Sequence, residues 1–160
     1  MMYQNVNQHS CTCYLLVGMP GSGKSTWCTQ CHPSLPVVSR DQIRAELGYT
    51  KDAQDKAVLD PELESIVTLR ENALMEGLAA RRQDFIVDDT NIKKVYRDQI
   101  IKFLKSLGVR VIGVQFDTPL ELCIERRKNQ IDSESMNNLF AKMAPLDNSE
   151  VDEIIIWKCL

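Results

Sequence analysis

Residues 18 to 26 read GMPGSGKST, and Gly18, Gly23, Lys24 and Ser25 fit the spacing G-x-x-x-x-G-K-[ST]. Each fixed position has a mechanical reason. Glycine permits backbone angles that a Cβ forbids, so N–H groups along Gly21, Ser22, Gly23, Lys24, Ser25 and Thr26 can converge on one anion. Lys24 can reach the outer phosphates of a nucleoside triphosphate. Ser25 can offer its hydroxyl to Mg²⁺, and a helix starting here adds the positive end of its dipole. The chemistry on offer is binding of ATP with Mg²⁺. The alternative is a glycine-rich turn that only joins a strand to a helix.

Transfer of a phosphoryl group also needs cations around the γ-phosphate and a base that orients the attacking hydroxyl. Asp41 is the candidate base: it follows the apolar run LPVVS (35 to 39) and opens a helix. Arg44 lies one helical turn on and can share that face. An acid that takes a hydroxyl proton beside an arginine that forks onto an anion suits an acceptor carrying both groups. Asp88 and Asp89 end another apolar run, DFIVDDTN, where an acid can handle Mg²⁺ through water or touch the acceptor. Successive strand residues alternate sides, so one of the pair points inward, and the turn residues Thr90 and Asn91 favour Asp89. Arg126 and Arg127 close a helix just before a polar stretch, where a mobile lid could neutralise charge on the transferred group. Asp41 could equally be an ordinary acid at a helix start, and Arg126 a basic helix end.

These residues need elements to position them. Residues 13 to 17 read as a buried strand beneath the loop, and 24 to 30 as a helix. LPVVS is a short second strand, and Ser39 with Gln42 fits a capping box for a helix that stops at Gly48. Residues 49 to 60 are polar and read as a loop. Asp60-Pro61 opens a helix in the preferred way, with Ile66, Leu69, Ala73, Leu74 and Leu78 expected to face the core. A strand within 84 to 91 precedes an amphipathic helix that stops at Gly108. Then come a strand over 109 to 116, a helix capped by Thr118-Pro119, a helical stretch at 133 to 143, and a last strand, EIIIW (153 to 157). Alternating strands and helices imply a parallel sheet covered on both faces, with ligands at the carboxyl ends of the strands. That rule gathers GMPGSGKST, SRDQIR and DDTN on one edge.

The 160 residues suit a single domain, with residues 1 to 12 peripheral, and the 44% apolar and 26% charged fractions argue against disorder. No window approaches the roughly 18 to 20 apolar residues of a membrane span, and MMYQNVNQHS lacks a basic and apolar leader, so a cytoplasmic location is expected. The net charge of −3 gives no global basic field; Arg81-Arg82, Lys93-Lys94 with Arg97, and Arg126-Arg127-Lys128 cluster locally, and each reads as a solvated helix face rather than a binding site unless its position says otherwise. Cys11 and Cys13, and Cys28 and Cys31 beside His32, have spacings that can bind zinc or form a redox pair. Their places in the expected strand and helix instead favour reduced core thiols, as for Cys123 and Cys159.

Taken in order, GMPGSGKSTW, SRDQIRAEL, VDDTN and FDTPLELCIERR resemble the kinase domain of the bacteriophage polynucleotide 5′-hydroxyl kinase family, over roughly residues 13 to 131. The resemblance implies an α/β, three-layer P-loop kinase fold with a parallel five-stranded sheet. It implies transfer of the γ-phosphate of ATP to the 5′-hydroxyl end of a DNA or RNA strand. It further implies Lys24 and Ser25 serving ATP and Mg²⁺, Asp41 as general base, Arg44 on the acceptor's 3′-phosphate, Asp89 as the strand-end acid and Arg126 as a lid arginine. The family's second lid arginine falls on Gln130, so either Arg127 or Lys128 substitutes or the lid does other work. The family's phosphatase domain has no counterpart in this sequence, so healing of a 3′-phosphate is not expected. Two rival readings stand beside this one: a kinase of a small-molecule hydroxyl, and a non-enzymatic ATP-binding module.

Overall fold

The computed structural model describes residues 9–48 and 60–158. The expected loop over 49 to 60, most of the peripheral segment 1 to 12, and Cys159 lie largely or wholly outside the described residues. Among the described residues five strands, β1 (Thr12–Val17), β2 (Val37–Val38), β3 (Phe85–Val87), β4 (Arg110–Phe116) and β5 (Glu153–Trp157), form one sheet in the order β2-β3-β1-β4-β5. All four pairings are parallel, as the alternation of strands and helices requires. The described residues form six helices, α1 (Lys24–Cys31), α2 (Arg40–Glu46), α3 (Pro61–Ala80), α4 (Lys94–Ser106), α5 (Leu120–Arg127) and α6 (Ser133–Ala141).

Side chains alternate across β1, and the two faces meet different partners. Cys13 and Leu15 pack with Met75, Leu78, Ile101 and Leu104 of α3 and α4. Leu16 packs with Trp27 and Cys28 of α1 and with Phe116. A third cluster, Met19, Ile92, Cys123 and Met136, seats α5 and α6 against the loops at the carboxyl end of the sheet. The sheet is thus buried on both sides, which explains the continuous apolar runs of its strands.

Two sequence expectations need correction. On α3, Ile66, Leu69, Ala73 and Leu74 face solvent, Leu69 with 69% of its surface exposed, and only Leu78 of the expected set is buried. The core face is Val67, Glu71, Met75, Leu78 and Ala79. The basic cluster of Lys93, Lys94 and Arg97 is an open face only at its lysines. Arg97 is fully buried; its Nε and Nη2 meet Glu150 at 3.0 and 3.1 Å, and Nη1 donates to the carbonyls of Asn91 and Ala144 at 2.9 and 2.8 Å. It ties α4 to the segment leading into β5. Lys94 pairs with Asp98 on the surface, and Lys93 lies over the Tyr96 ring.

All five described cysteines are free thiols, four of them buried. His32 packs its ring against Tyr14 and Trp27, with centroids 4.6 and 5.0 Å apart. No group of three or more His, Cys, Asp or Glu among the described residues is placed to hold a metal ion. No described helix is long and apolar enough to cross a membrane.

Candidate active site

The loop between β1 and α1 needs glycine for two separate reasons. A Cβ on Gly18 would lie 2.7 Å from Ser22 Oγ and 2.9 Å from Phe116 Cβ, so the requirement there is close approach. Gly23, at φ +99°, caps α1 from the left-handed region, where nothing crowds it but an L side chain is strained. No side chain caps α1, and the first N–H groups of a helix have no partner within it. They are open to an anion. Thr118 does not cap α5, which starts behind Pro119 with no side-chain cap; its hydroxyl donates instead to the Ser22 carbonyl at 2.8 Å and braces the loop from the end of β4.

Lys24 folds back into this cradle, its ammonium donating to the carbonyls of Gly18 and Met19 at 3.0 and 2.9 Å. Burial pulls its pKa down, while nearby Asp88 acts in the opposite direction. Ser25 is exposed one residue on, and its hydroxyl stands 3.5 Å from Asp88 Oδ2, at the outer limit of a hydrogen bond. An exposed hydroxyl facing a carboxylate beside open N–H groups suits a divalent cation bridging to phosphate. The residues present therefore fit Mg²⁺ and a nucleoside triphosphate.

β3 presents its two acids to different neighbours. Asp88 meets Ser25; Asp89, the residue favoured by its turn context, accepts from the Arg40 N–H at 3.0 Å. The other Asp89 oxygen, Oδ2, is buried without a hydrogen-bond partner, as is Glu71 Oε1. Burial, followed by the charge of Glu71, pushes Asp89 up to about 8. Burial also raises Asp88, against the pull of Lys24. Asn91 then turns the chain at φ +48°, a conformation asparagine tolerates, and donates to the Leu16 carbonyl at 2.9 Å, fastening the end of β3 to β1.

Ser39 caps α2 by accepting from the Gln42 N–H, as the spacing predicts, and this sets Asp41 in the first turn. The Asp41 side chain is 94% exposed and opens onto the same cleft as the phosphate loop. Arg44 is positioned beside it and has three of its five N–H groups engaged. Its Nη1 donates to Asp41 Oδ1 at 2.8 Å, and its Nε and Nη2 take both oxygens of Glu64 at 2.8 and 3.0 Å. Arg40 completes the array, donating to Glu64 at 2.8 Å and to the buried Glu71 at 2.6 Å. The two arginines hold Glu64 down to about 2. Sequence reading passes over Glu64, Glu71 and Arg40 as site residues. Their signal is an acid on one helix whose arginine partner lies 20 to 31 residues away, invisible to local spacing.

From the opposite wall, Arg126 donates to the Gly21 carbonyl at 2.9 Å, and Arg127 reaches Gln130 at 2.6 Å. Both arginines and Gln130 line the cleft, whereas Lys128 turns away to Glu125. Of the two candidates for a second lid cation, Arg127 is the one at the site. The cleft encloses about 950 Å³ and brings together Lys24, Ser25, Asp41, Asp88, Asp89 and Arg126. Trp157, the last residue of β5, and Lys158 just past it also line the cleft.

The parallel five-stranded sheet and the phosphate loop define the P-loop kinase fold. The chain matches a family model over residues 14–146 and belongs to that family, AAA_33, described as an AAA domain. No curated protein matches it. Among solved structures it resembles a chain of the Pnkp1/Rnl/Hen1 complex at 25% identity and a TM-score of 0.67, covering 77% of this chain and 41% of that one. A chain of the Pnkp1/Rnl/Hen1 RNA repair complex matches at 22% identity and a TM-score of 0.71, with 88% and 46% covered. An unliganded sugar kinase from Janibacter sp. matches at 19% identity and a TM-score of 0.68, with 92% and 85% covered. The chain thus spans less than half the length of the two repair-complex chains.

Proposed function

We propose that this protein is an ATP-dependent polynucleotide kinase that transfers the γ-phosphoryl group to the 5′-hydroxyl of a DNA or RNA strand. The observation that carries this reading is Asp41: a solvent-open carboxylate at the head of α2, facing the cleft that holds Lys24 and Ser25. The order SRDQIR after β2 and the likeness to a chain of the Pnkp1/Rnl/Hen1 complex support the acceptor class.

In this reading the first-turn N–H groups of α1 and the Lys24 ammonium hold the triphosphate. Ser25, with Asp88 behind it, would hold Mg²⁺, which would offset charge on the phosphates. Asp41 accepts the proton of the 5′-hydroxyl as its oxygen attacks phosphorus. The new O–P bond forms as the bond to the β–γ bridging oxygen breaks, and ADP leaves with that oxygen. Arg126, and Arg127 beside it, neutralise charge on the transferred group.

The test is transfer of γ-labelled phosphate to a 5′-hydroxyl oligonucleotide, wild type beside Asp41→Asn. Label is expected on the strand, with kcat reduced at least about 10²-fold in the variant while nucleotide binding persists. An unlabelled strand from a wild type that binds ATP would refute the polynucleotide acceptor. A screen of small hydroxyl compounds would then follow, because one observation favours that second reading: Arg44 and Arg40 are already neutralised by Glu64 and Glu71. A neutral acceptor has no need of a free arginine, and the sugar-kinase neighbour is consistent with one.

A further inference from the structure

Resting on the polynucleotide reading, we infer that a second cavity, between α3 and α4, takes a nucleobase of the acceptor strand downstream of its reacting 5′ end. Tyr96 stacks that base, and Lys93 meets a neighbouring phosphate. The cavity encloses about 700 Å³ and shares two residues, Asp89 and Thr90, with the cleft of the phosphate loop. The two thus adjoin at the end of β3, and one extended ligand can occupy both. The lining of the second cavity includes none of Lys24, Asp41 and Arg126, so its occupant is a continuation of the acceptor and not the end that reacts.

The walls suit a base. Tyr96 lies on α4 with 58% of its surface exposed, a large aromatic ring that the core does not use. Ile100 and Phe103, four and seven residues further along the same helix, share its face, are partly buried and continue the apolar wall. Every base has a π-face, so stacking on such a ring tolerates any sequence. Asn72 of α3 and Gln99 of α4 bring side-chain amides to the cavity, and neither amide has a hydrogen-bond partner among the described residues. Each offers both donor and acceptor, which matches the edge of a base and would go unmet by a purely apolar ligand.

Lys93 supplies the charge. Lys94 beside it is taken by Asp98 at 2.8 Å, whereas Lys93 has no carboxylate partner among the described residues and rests over the Tyr96 ring, 5.6 Å from its centre. A cation beside an aromatic platform is the pairing that grips single strands, the ring holding the base and the ammonium the backbone. A small neutral acceptor would use neither.

The test compares acceptors of different length. Label transfer from ATP is measured on hexathymidylate with a 5′-hydroxyl and on thymidine 3′-monophosphate, which has no second base, for wild type, Tyr96→Ala, Tyr96→Phe and Lys93→Gln. Tyr96→Ala is expected to raise KM on the hexamer about tenfold or more, with kcat, KM for ATP and KM on the mononucleotide unchanged. Tyr96→Phe keeps the ring and should behave as wild type. Lys93→Gln should weaken hexamer binding and make the slope of log affinity against log salt shallower by about 0.7. A hexamer KM that is unmoved by Tyr96→Ala, or that moves equally on the mononucleotide, overturns the proposal and leaves the kinase reading intact. Equal loss in Tyr96→Phe overturns it too, because the ring is retained there.

If wild type labels neither acceptor, the polynucleotide reading fails by itself. Fluorescence anisotropy of a labelled hexamer then decides the cavity. A Kd raised about tenfold by Tyr96→Ala supports it as a strand site. A Kd indifferent to Tyr96, or no binding by wild type, overturns it.

Discussion

Arg97 and Glu150 meet across 53 residues of sequence in a two-point ion pair from which solvent is almost wholly excluded. Arg97 also collects the carbonyls of Asn91, Ala144 and Pro145, so one side chain joins the turn after β3, the head of α4 and the approach to β5. Removing one partner strands a buried charge. Arg97→Ala is expected to destabilise the protein by about 3 to 5 kcal/mol, read from denaturant unfolding. Replacing Lys94, whose partner Asp98 is half exposed, should change stability by less than about 1 kcal/mol.

Gly18→Ala tests the close approach under the phosphate loop. The added methyl would press on Ser22 Oγ and on Phe116 Cβ, and the second of these belongs to a packed strand. Overpacking of this kind costs about 1 to 3 kcal/mol. The expected result is a lower thermal midpoint together with weaker nucleotide binding, since the shift acts on the loop itself. Unchanged binding in a destabilised variant would separate loop shape from stability.

Asp89 sets a pH dependence whose sign can be worked out. Its carboxyl ionises at about 8 in the folded protein against 3.8 in an exposed chain. Between those values the native state holds a proton that the unfolded chain has lost, so stability falls as pH rises through this window and then levels off. Asp89→Asn removes the charge, keeps the shape and offers an N–H toward the unpartnered Glu71 oxygen. At pH 8 it should raise stability by about 1 to 3 kcal/mol and flatten the slope between about pH 4 and pH 8. A variant as pH-sensitive as wild type over that range would contradict the assignment. Glu64 works the other way: Arg44 and Arg40 hold it down to about 2, so its contribution is complete above the ordinary carboxylate range and lost in acid.

The two stripes of α3 give a paired test. Met75→Ala, on the buried face, is expected to cost about 2 to 5 kcal/mol, whereas Leu69→Ala, on the exposed face, should stay within about 0.5 kcal/mol. Equal costs would place both stripes in contact with the core.

These cases mark how far sequence could reach. The strand under GMPGSGKST, the Ser39 cap of α2 and the last strand at 153 to 157 are legible because local pattern and final packing agree. On α3 two apolar stripes lie one residue apart, and both have helical period. The stripe that is buried contains Glu71, which a hydrophobic reading rejects, and Glu71 is tolerated there because Arg40 reaches it from another helix at 2.6 Å. Arg97 is misread for the same reason, since Glu150 is distant in sequence. At the site, the positions of Lys24, Ser25 and Asp41 follow from a motif and a cap. The partners that occupy Arg44 do not, because they depend on how α2 and α3 cross.

The strand order also carries a consequence for how the chain is made. β1 sits at the centre of the sheet, and its hydrogen-bonded neighbours begin only at Phe85 and Arg110. During synthesis the strand that supports the phosphate loop therefore leaves the ribosome ahead of the other described strands and stays unpaired until β3 and β4 have followed. Pairings so far apart in sequence are slow to form and leave apolar strand edges open while they wait. The segment CYLLV, which anchors the chemistry once folded, is by the same topology the stretch most dependent on protection before folding is complete.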